Sequence, residues 1–467
     1  MSFARVSWIS ALAFAFLSIA WVSPAFGASS AGRVDPQFGD GGLAFSPFEI
    51  TISTGRIKMV SGPSGSPTVI YGHGMVHFRS DGSRDPGFGT HGIVPFGRDT
   101  ATGGVRQRRF AETGLAADSH GRLVVFGEQT DSRRSFFGIE PTFESSALVL
   151  RFTPRGRLDP TFGDGRGFVR DDFGLGSDIG ETDIPMVGAL AGTVDSKNRP
   201  VLVAGVKTIV GGCYAKATTR SVPRAVVRLT RSGSVDPTFG SNGLSPISGA
   251  HTPPPGLALD SADGPLVSVG RFGGPAPGCV SGSVLIRMNK DGQFLDGFGE
   301  DGARTVGTYD FGVLEPSGAI ILSQEYKHSI GVVRLRPDGS RDPSFGGDGV
   351  ANVALPPAAT GSHMQPVAVD AKGRILIAGF VRSRHGRNSE ERGGKNAFVV
   401  ARQLADGMVD KRFGANGRIL TSLPDPLEVS SFSAELDAQG RLLLAGRFTK
   451  PGSFAGGIVV ARYLVGS

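Results

Sequence analysis

The chain has 467 residues, a formal net charge of +7, 71 glycines and 30 prolines. Its only tryptophans, Trp8 and Trp21, lie within the first 27 residues, which argues against WD40 repeats, tryptophan-dependent lectins and quinoprotein propellers. The sequence contains no Gly-x-Ser-x-Gly, His-Glu-x-x-His or phosphate-loop motif. It therefore carries no recognisable catalytic signature and no motif for a cofactor.

The first predicted element is an export signal. Residues 1–27 combine Arg5, an apolar stretch, and the small residues Ala25 and Gly27 before the expected cleavage point. We predict a signal peptide over 1–27 and a mature periplasmic or secreted chain over 28–467, with no transmembrane segment after cleavage. An exported basic protein rarely meets nucleic acid, so the expected partner is an anionic cell-envelope polymer or an acidic protein. A basic surface without a ligand is the alternative.

From residue 32 onward, one motif occurs seven times. A glycine is followed six residues later by Phe-Gly, as in GRLDPTFG and GSVDPTFG, with a mean spacing of about 62 residues. The phenylalanines of the seven copies are Phe38, Phe88, Phe162, Phe239, Phe298, Phe345 and Phe413. Because no linker separates the copies, the pattern indicates one supersecondary unit repeated within a single domain.

Each unit contains four short strand-like runs separated by turns. In the second unit they cover residues 114–118, 122–127, 147–152 and 167–170. Helical periodicity is nowhere sustained, so we predict an all-β fold. Small sheets of this kind bury both faces only against their neighbours, which predicts a closed seven-bladed β-propeller. The C-terminus supplies three strands and residues 32–45 supply a fourth, so the N-terminal strand is expected to complete the last blade.

The recurrence of Gly-x-Leu/Val-Asp-Pro-Thr-Phe-Gly-x-x-Gly, with Asp-x-x-Gly-Arg and Val-Val-Arg-Leu between copies, resembles the delta-60 repeat family of bacterial exported β-propellers. The resemblance covers essentially all of the mature chain. It implies a propeller fold and export, and it implies no particular activity. Two copies depart from the pattern, because Asp296 is displaced by one residue and Lys411 with Arg412 replaces the proline-containing pair.

We interpret the repeated residues as structural. Asp-Pro is expected to form a tight turn, and the phenylalanine to pack between adjacent blades. An arginine five residues before the repeat glycine needs a partner if it is buried, and the aspartate eight residues after that arginine is the nearest candidate. The positions concerned are Arg151, Arg228, Arg287, Arg334 and Arg402, with His77 in the first unit. Function is then expected in the segments that do not repeat.

Loops of variable length on the opposite face of the disc are the expected binding region. They are predicted at residues 97–113, 128–146, 170–187, 206–224, 246–256, 352–366 and 380–396. Several contain arginines that could bind an anion, namely Arg106, Arg108, Arg109, Arg133, Arg134, Arg382, Arg384 and Arg387. Solvated loops without a ligand are the alternative interpretation.

Three classes of function are consistent with these features. The first is an exported binding or scaffold module that acts through the variable loops. The second is a lyase or hydrolase with a site at the channel mouth, and the third is a structural component of the cell envelope. A deep pocket with converging His, Glu or Arg side chains would favour an enzyme, whereas a broad shallow face would favour binding. His73 and His77 form only one spaced pair, so no metal site is predicted.

The chain has two cysteines, Cys213 and Cys279. They fall in equivalent loops, between the second and third strands of consecutive units, and such loops lie side by side in adjacent blades. Export would place them in an oxidising compartment. We predict a disulfide between them, with two free thiols as the alternative.

Overall fold

The computed structural model confirms the all-β prediction. It describes residues 32–49, 57–72, 74–96, 106–133, 142–175, 187–206, 224–247, 256–271, 282–307, 309–326, 329–355, 359–383, 396–424, 427–450 and 455–466. In these residues the chain forms strands and turns arranged in seven antiparallel sheets. A helix long and apolar enough to cross a membrane is not found in this part of the chain.

Two strands, β1 (Arg33–Val34) and β2 (Leu43–Glu49), precede the first complete sheet. The next three sheets are blades 1 to 3, each built from four consecutive strands. Blade 1 contains β3 (Lys58–Ser61), β4 (Pro67–Ile70), β5 (Gly74–His77) and β6 (Ile93–Pro95). Blade 2 contains β7 (Arg106–Ala117), β8 (Leu123–Arg133), β9 (Thr142–Phe152) and β10 (Phe168–Asp171). Blade 3 contains β11 (Val187–Val194), β12 (Pro200–Val206), β13 (Arg224–Arg228) and β14 (Leu244–Pro246).

Blades 4 to 6 repeat this plan. Blade 4 contains β15 (Gly256–Leu259), β16 (Pro265–Arg271), β17 (Gly282–Arg287) and β18 (Ala303–Thr305). Blade 5 contains β19 (Asp310–Leu314), β20 (Ile320–Glu325), β21 (Ser329–Leu335) and β22 (Val350–Ala354). Blade 6 contains β23 (Ala359–Val369), β24 (Ile375–Ser383), β25 (Asn396–Gln403) and β26 (Arg418–Ser422).

Blade 7 contains strands from both ends of the chain. Its C-terminal strands are β27 (Glu428–Leu436), β28 (Leu442–Thr449) and β29 (Ala455–Leu464). The N-terminal β2 pairs antiparallel with β29 over seven residues, and β1 pairs with the end of β29. The predicted completion of the last blade by the N-terminal strand is therefore confirmed.

The blades form a closed ring. The first strand of each blade contacts the first strand of the next blade, and β27 of blade 7 contacts β3 of blade 1. Across this last seam the Ser61 amide donates to Glu435 Oε2 at 3.0 Å, and the Met59 amide donates to Ser433 Oγ at 3.1 Å. The predicted seven-bladed propeller is thus present and closed.

The repeat phenylalanines pack between adjacent blades, as predicted. Phe162, for example, lies in an apolar cluster with Val124 of blade 2 and Leu202 of blade 3. All seven repeat phenylalanines are at most 1% exposed. Burial of one such side chain contributes about 1.5–3 kcal/mol, so the seams are the main apolar cores of the molecule.

Three of the predicted arginine–aspartate pairs are present at the seams, together with a fourth pair, Arg462 with Asp35, that was not predicted. Arg228 Nε lies 2.8 Å from Asp236 Oδ2, its guanidinium lies 4.7 Å from the centroid of the Phe239 ring, and Nη1 donates to the Lys290 carbonyl of the next blade. Arg151, Arg402 and Arg462 make the same three kinds of contact. Each guanidinium therefore links its own turn to the neighbouring blade.

The predicted aspartate partner was wrong in one blade and incomplete in another. Arg287 pairs with Asp260 at 3.2 Å, because the displaced Asp296 is exposed. Arg334 lies closer to Glu315, at 3.1 Å, than to the expected aspartate, at 3.6 Å. Both substitutes come from the turn between the first and second strands, which shows that this turn adjoins the turn between the third and fourth strands.

Arg199 confirms that both kinds of turn lie on one side of the disc. It pairs at 2.6 Å with Asp195 of a turn between first and second strands and at 3.0 Å with Asp236 of a turn between third and fourth strands. We call this side the turn face. The connections between second and third strands and between blades leave from the opposite side, which we call the variable face.

Candidate functional site

Among the described residues, two hairpins have strand pairing that extends furthest on the variable face. β7 and β8 remain paired out to Arg106 and Arg133, and β23 and β24 remain paired out to Ala359 and Ser383. At 3.3 Å per residue, the four additional residues of β7 relative to β11 correspond to about 13 Å. The loop boundaries predicted at 97–113, 128–146, 352–366 and 380–396 were therefore wrong, because strand pairing continues into these polar segments.

These long hairpins carry the described members of the predicted anion-binding set. Arg109 on β7 and Arg382 on β24 are exposed. Arg106, Arg108 and Arg133 lie on β7 and β8, where the backbone is described. Arg134, Arg384 and Arg387 lie outside the described residues, as do Cys213 and Cys279.

His77 has a structural environment in blade 1. Its ring stacks on Phe88 at 4.8 Å, and its Nδ1 lies 2.8 Å from Thr68 Oγ1. Burial lowers the pKa of His77. The other member of the spaced pair, His73, lies outside the described residues.

The side chains of the second and third strands begin to differ between blades at one level near the variable face. In blades 2 to 7 the second and third strands are paired at this level. Between this level and the turn face, the buried residues of both strands are mainly apolar. The pairs at this level are Glu128–Ala147, Gly205–Arg224, Gly270–Ser283, Glu325–Ile330, Phe380–Phe398 and Arg447–Ile458. We call this the divergent level. Apart from the seam arginines, charged residues of the second and third strands begin here, so it is the first level at which the blades differ in chemistry.

A group of charged and aromatic side chains lies near the divergent level in blades 5, 6 and 7. We call Glu325, His363, Phe380, Arg382 and Phe432 the mouth cluster. His363 Nδ1 lies 3.7 Å from Glu325 Oε2, and the two side chains are 62% and 34% exposed. The His363 ring lies 5.6 Å from Phe432 and 6.1 Å from Phe380, centroid to centroid. An imidazole and a carboxylate are thus held together at an accessible surface.

Arg382 adds a positive charge to the mouth cluster. Its guanidinium lies 5.5 Å from the centroid of the Phe380 ring, and Nη2 donates to the Val429 carbonyl of blade 7 at 3.0 Å. Phe380 in turn meets Phe432 edge-on at 6.2 Å. The contacts fix the orientation of an exposed guanidinium, and a fixed guanidinium suits recognition of a carboxylate, sulfate or phosphate group.

The sequence located only one member of the mouth cluster, Arg382. Glu325, His363 and Phe432 belong to three blades and are separated along the chain by 38 residues or more. Alignment of the units on their turns would have revealed that Glu325 and Phe380 occupy the same position of the repeat. It would not have shown that His363 of a first strand faces both.

Blade 2 has a different arrangement at the same level. Ser145 Oγ donates to Glu128 Oε1 at 2.9 Å and lies 2.9 Å from the Val187 carbonyl of blade 3. Arg170 pairs with Asp131 at 2.9 Å. These buried or half-buried polar groups bond one another, so they fix the base of the long hairpin.

Comparisons with known proteins support the propeller fold and assign no activity. Residues 327–345 match the model of a β-propeller domain of unknown function, DUF5122. A comparison with curated protein sequences gives no match.

Among solved structures, a protein of unknown function from Dyadobacter fermentans is 11% identical, with a TM-score of 0.38, and the match covers 76% of this chain and 95% of that one. The polysaccharide lyase Uly1 is 9% identical, with a TM-score of 0.41 and coverage of 94% and 90%. The NanB sialidase from Streptococcus pneumoniae is 10% identical, with a TM-score of 0.36 and coverage of 93% and 70%. Similarity at this level does not extend to activity.

Proposed function

We propose that this chain is an exported propeller of the delta-60 repeat type that binds an anionic polymer through its variable face. The observation that carries the proposal is the exposed Arg382, which is oriented by Phe380 and by the Val429 carbonyl on one of the two long hairpins. An oriented guanidinium loses less conformational freedom on binding than a free one, and so favours affinity.

The position of the second long hairpin favours a long ligand. Blades 2 and 6 are separated on one side of the ring by blades 7 and 1, so Arg109 and Arg382 stand on opposite sides of the channel mouth. A polymer lying across the mouth would meet both hairpins, whereas a small ion would meet only one. Simultaneous contact at two places raises the apparent affinity of a chain-like ligand.

The test compares charge reversal on the two faces. The variant Arg109→Glu/Arg382→Glu should elute from immobilised polygalacturonate at a lower salt concentration than the wild type, with a weaker dependence on salt. The control Arg157→Glu/Lys411→Glu makes the same change in net charge at exposed positions on the turn face of the same two blades. Equal retention of the two double variants would contradict binding at the variable face.

A lyase or hydrolase is the second candidate function. It is favoured by the contact between His363 and Glu325, since such a pair can hold and transfer a proton. Because the charged side chains of the mouth cluster are exposed, the cluster resembles a shallow binding surface more than a deep pocket. We therefore rank binding above catalysis. Incubation of the mature protein with polygalacturonate, followed by measurement of new chain ends, tests this alternative. Activity that disappears in His363→Ala but not in Arg109→Glu would support it.

A further inference from the structure

Within the described part of the chain, Arg224 is a buried cation with two nitrogens that have no hydrogen-bond partner. It is the first residue of β13 in blade 3, at the divergent level, and is 6% exposed. Its Nε and Nη1 are buried and have no hydrogen-bond partner among the residues that the structure describes. Burial lowers the pKa of this guanidinium. Isolated buried charges are costly and normally pair or bind an ion, so this one requires an explanation.

The repeat shows that an arginine is not needed here to build a blade. In other blades, the residue four positions before the seam arginine is Ala147, Ser283, Ile330, Phe398 or Ile458. Blade 3 also has Gly205 directly opposite Arg224, and a Cβ at Gly205 would come within 2.5 Å of Arg224 Cγ. The pair Gly205–Arg224 thus makes room for a long cationic side chain where other blades bury a smaller or apolar one.

Strand alternation directs Arg224 into the seam between blades 3 and 4. Val226, two residues along β13, packs with Val267 and Ile286 of blade 4, and Arg228 donates to the Lys290 carbonyl of that blade. Arg224 lies on the same side of the strand, nearest to the variable face.

Three of the connections next to this seam supply no carboxylate. The segments that enter and leave these strands at the variable face, residues 207–223, 248–255 and 272–281, contain no aspartate or glutamate in the sequence. The first of them instead contains Lys207, Lys216 and Arg220. An ion pair from these three segments is therefore excluded by composition, whereas residues 176–186, which lead into β11 on the same face, contain Asp178, Glu181 and Asp183.

We propose that Arg224 binds an oxyanion, the carboxylate, sulfate or phosphate group of a ligand, at the variable-face end of the seam between blades 3 and 4. A bound anion compensates the buried guanidinium, and the missing side chain at Gly205 leaves room for Arg224 itself. The site is separate from the mouth cluster of blades 5 to 7, and so does not depend on the function proposed above.

The experiment measures thermal unfolding of the mature protein against sodium sulfate, sodium phosphate and sodium glucuronate, with chloride added to keep the ionic strength constant. A wild-type protein with this site should show a saturable rise in Tm for at least one anion, roughly 3 °C at a hundredfold excess over Kd. The anion that gives the rise at the lowest concentration identifies the group. Sulfate and phosphate also stabilise proteins without binding a site, so each titration is compared with a variant.

Arg224→Met removes the charge at nearly constant volume. It should lose the saturable rise and, in chloride alone, should melt at or above the wild-type temperature because an uncompensated charge is gone. Arg157→Met, an exposed charge change on the turn face of blade 2, should keep the full response. If Arg224→Met does not fold, Gly205→Ala replaces it and should weaken the response by displacing Arg224. The same response in Arg224→Met or Gly205→Ala as in the wild type, or no saturable response in the wild type, would overturn the proposal.

Discussion

At the scale of single residues, the seams rely on an arginine that is neutralised within its own repeat. The sequence predicts the Arg228–Asp236 pair because the spacing of eight residues recurs, and the structure gives it at 2.8 Å. The same rule fails for Arg287, because a shift of one residue moves Asp296 into solvent and Asp260 of another turn takes its place. A spacing rule holds only while the turn keeps its length.

The two turns provide a matched pair of substitutions. Asp236→Ala leaves Arg228 buried without its carboxylate, and we expect a loss of about 3–5 kcal/mol in the free energy of unfolding. Asp296→Ala removes a similar carboxylate from an exposed position and should cost no more than about 0.5 kcal/mol. Urea-induced unfolding of the two variants measures the difference. Similar losses in both would show that the seam pairs do not stabilise the blades.

Glu435 at the closing seam makes stability depend on pH. Burial raises its pKa from 4.5 to about 7, although hydrogen bonds from Ser61 act in the opposite direction. The folded state therefore holds this proton more tightly than the unfolded state. The contribution of the group to stability is fully present below about pH 4.5 and is lost as the pH rises through about 7.

Glu435→Gln should remove this dependence while keeping an acceptor for the Ser61 amide. We expect the variant to melt at a higher temperature than the wild type at pH 8 and at a similar temperature at pH 4.5. Scanning calorimetry at the two pH values checks the sign. A wild-type advantage at pH 8 would mean that the ionised carboxylate stabilises the seam.

At the scale of elements, strands inside the repeat were predictable and their extensions were not. Residues 122–127 and 147–152 are mainly apolar runs, and apart from Arg122 they lie within strands β8 and β9. The extension of β8 to Arg133 consists of polar residues such as Gln129 and Asp131, whose pattern resembles a loop. Pairing with β7 forms these extensions, and single-strand patterns do not reveal pairing.

The N-terminal strand is the element on which ring closure depends. Deletion of residues 32–49 removes β1 and β2, exposes the edge of β29, and leaves Arg462 without Asp35, which lies at 2.8 Å. The shortened protein should melt at a lower temperature and aggregate, because an open sheet edge pairs with other chains. Adding a synthetic peptide of residues 32–49 should restore monomers and raise Tm, whereas a scrambled peptide should not. Unchanged behaviour of the deletion variant in chromatography and melting would contradict closure by this strand.

At the scale of the whole molecule, the fold followed from the sequence because closure constrains it. Seven units and one unpaired N-terminal strand leave few arrangements other than a ring. The mouth cluster could not be predicted from the sequence, because it joins Glu325, His363 and Phe432 from three blades. The site proposed at Arg224 could not be predicted either, because it depends on two guanidinium nitrogens that have no hydrogen-bond partner among the described residues. The residues that repeat in every unit determine the scaffold. The residues at the divergent level that differ between units are the ones at which we propose that ligands bind.

The disulfide between Cys213 and Cys279 is a prediction that concerns the whole molecule and depends on the proposed export. β12 ends at Val206 and β13 begins at Arg224 in blade 3, while β16 ends at Arg271 and β17 begins at Gly282 in adjacent blade 4. The two cysteines therefore belong to equivalent connections of neighbouring blades, as the repeat implies.

A bond between these cysteines would close a loop of about 66 residues and, in the chain-entropy model, would stabilise the fold by about 4 kcal/mol before strain. Protein purified from the periplasm or medium should add no alkylating groups without reduction and two after reduction and unfolding, as measured by intact mass. The Cys213→Ser variant should expose one thiol and melt at a lower temperature. Two alkylated cysteines in the unreduced, unfolded wild type would refute the bridge, and with it the link between export and the stability of blades 3 and 4.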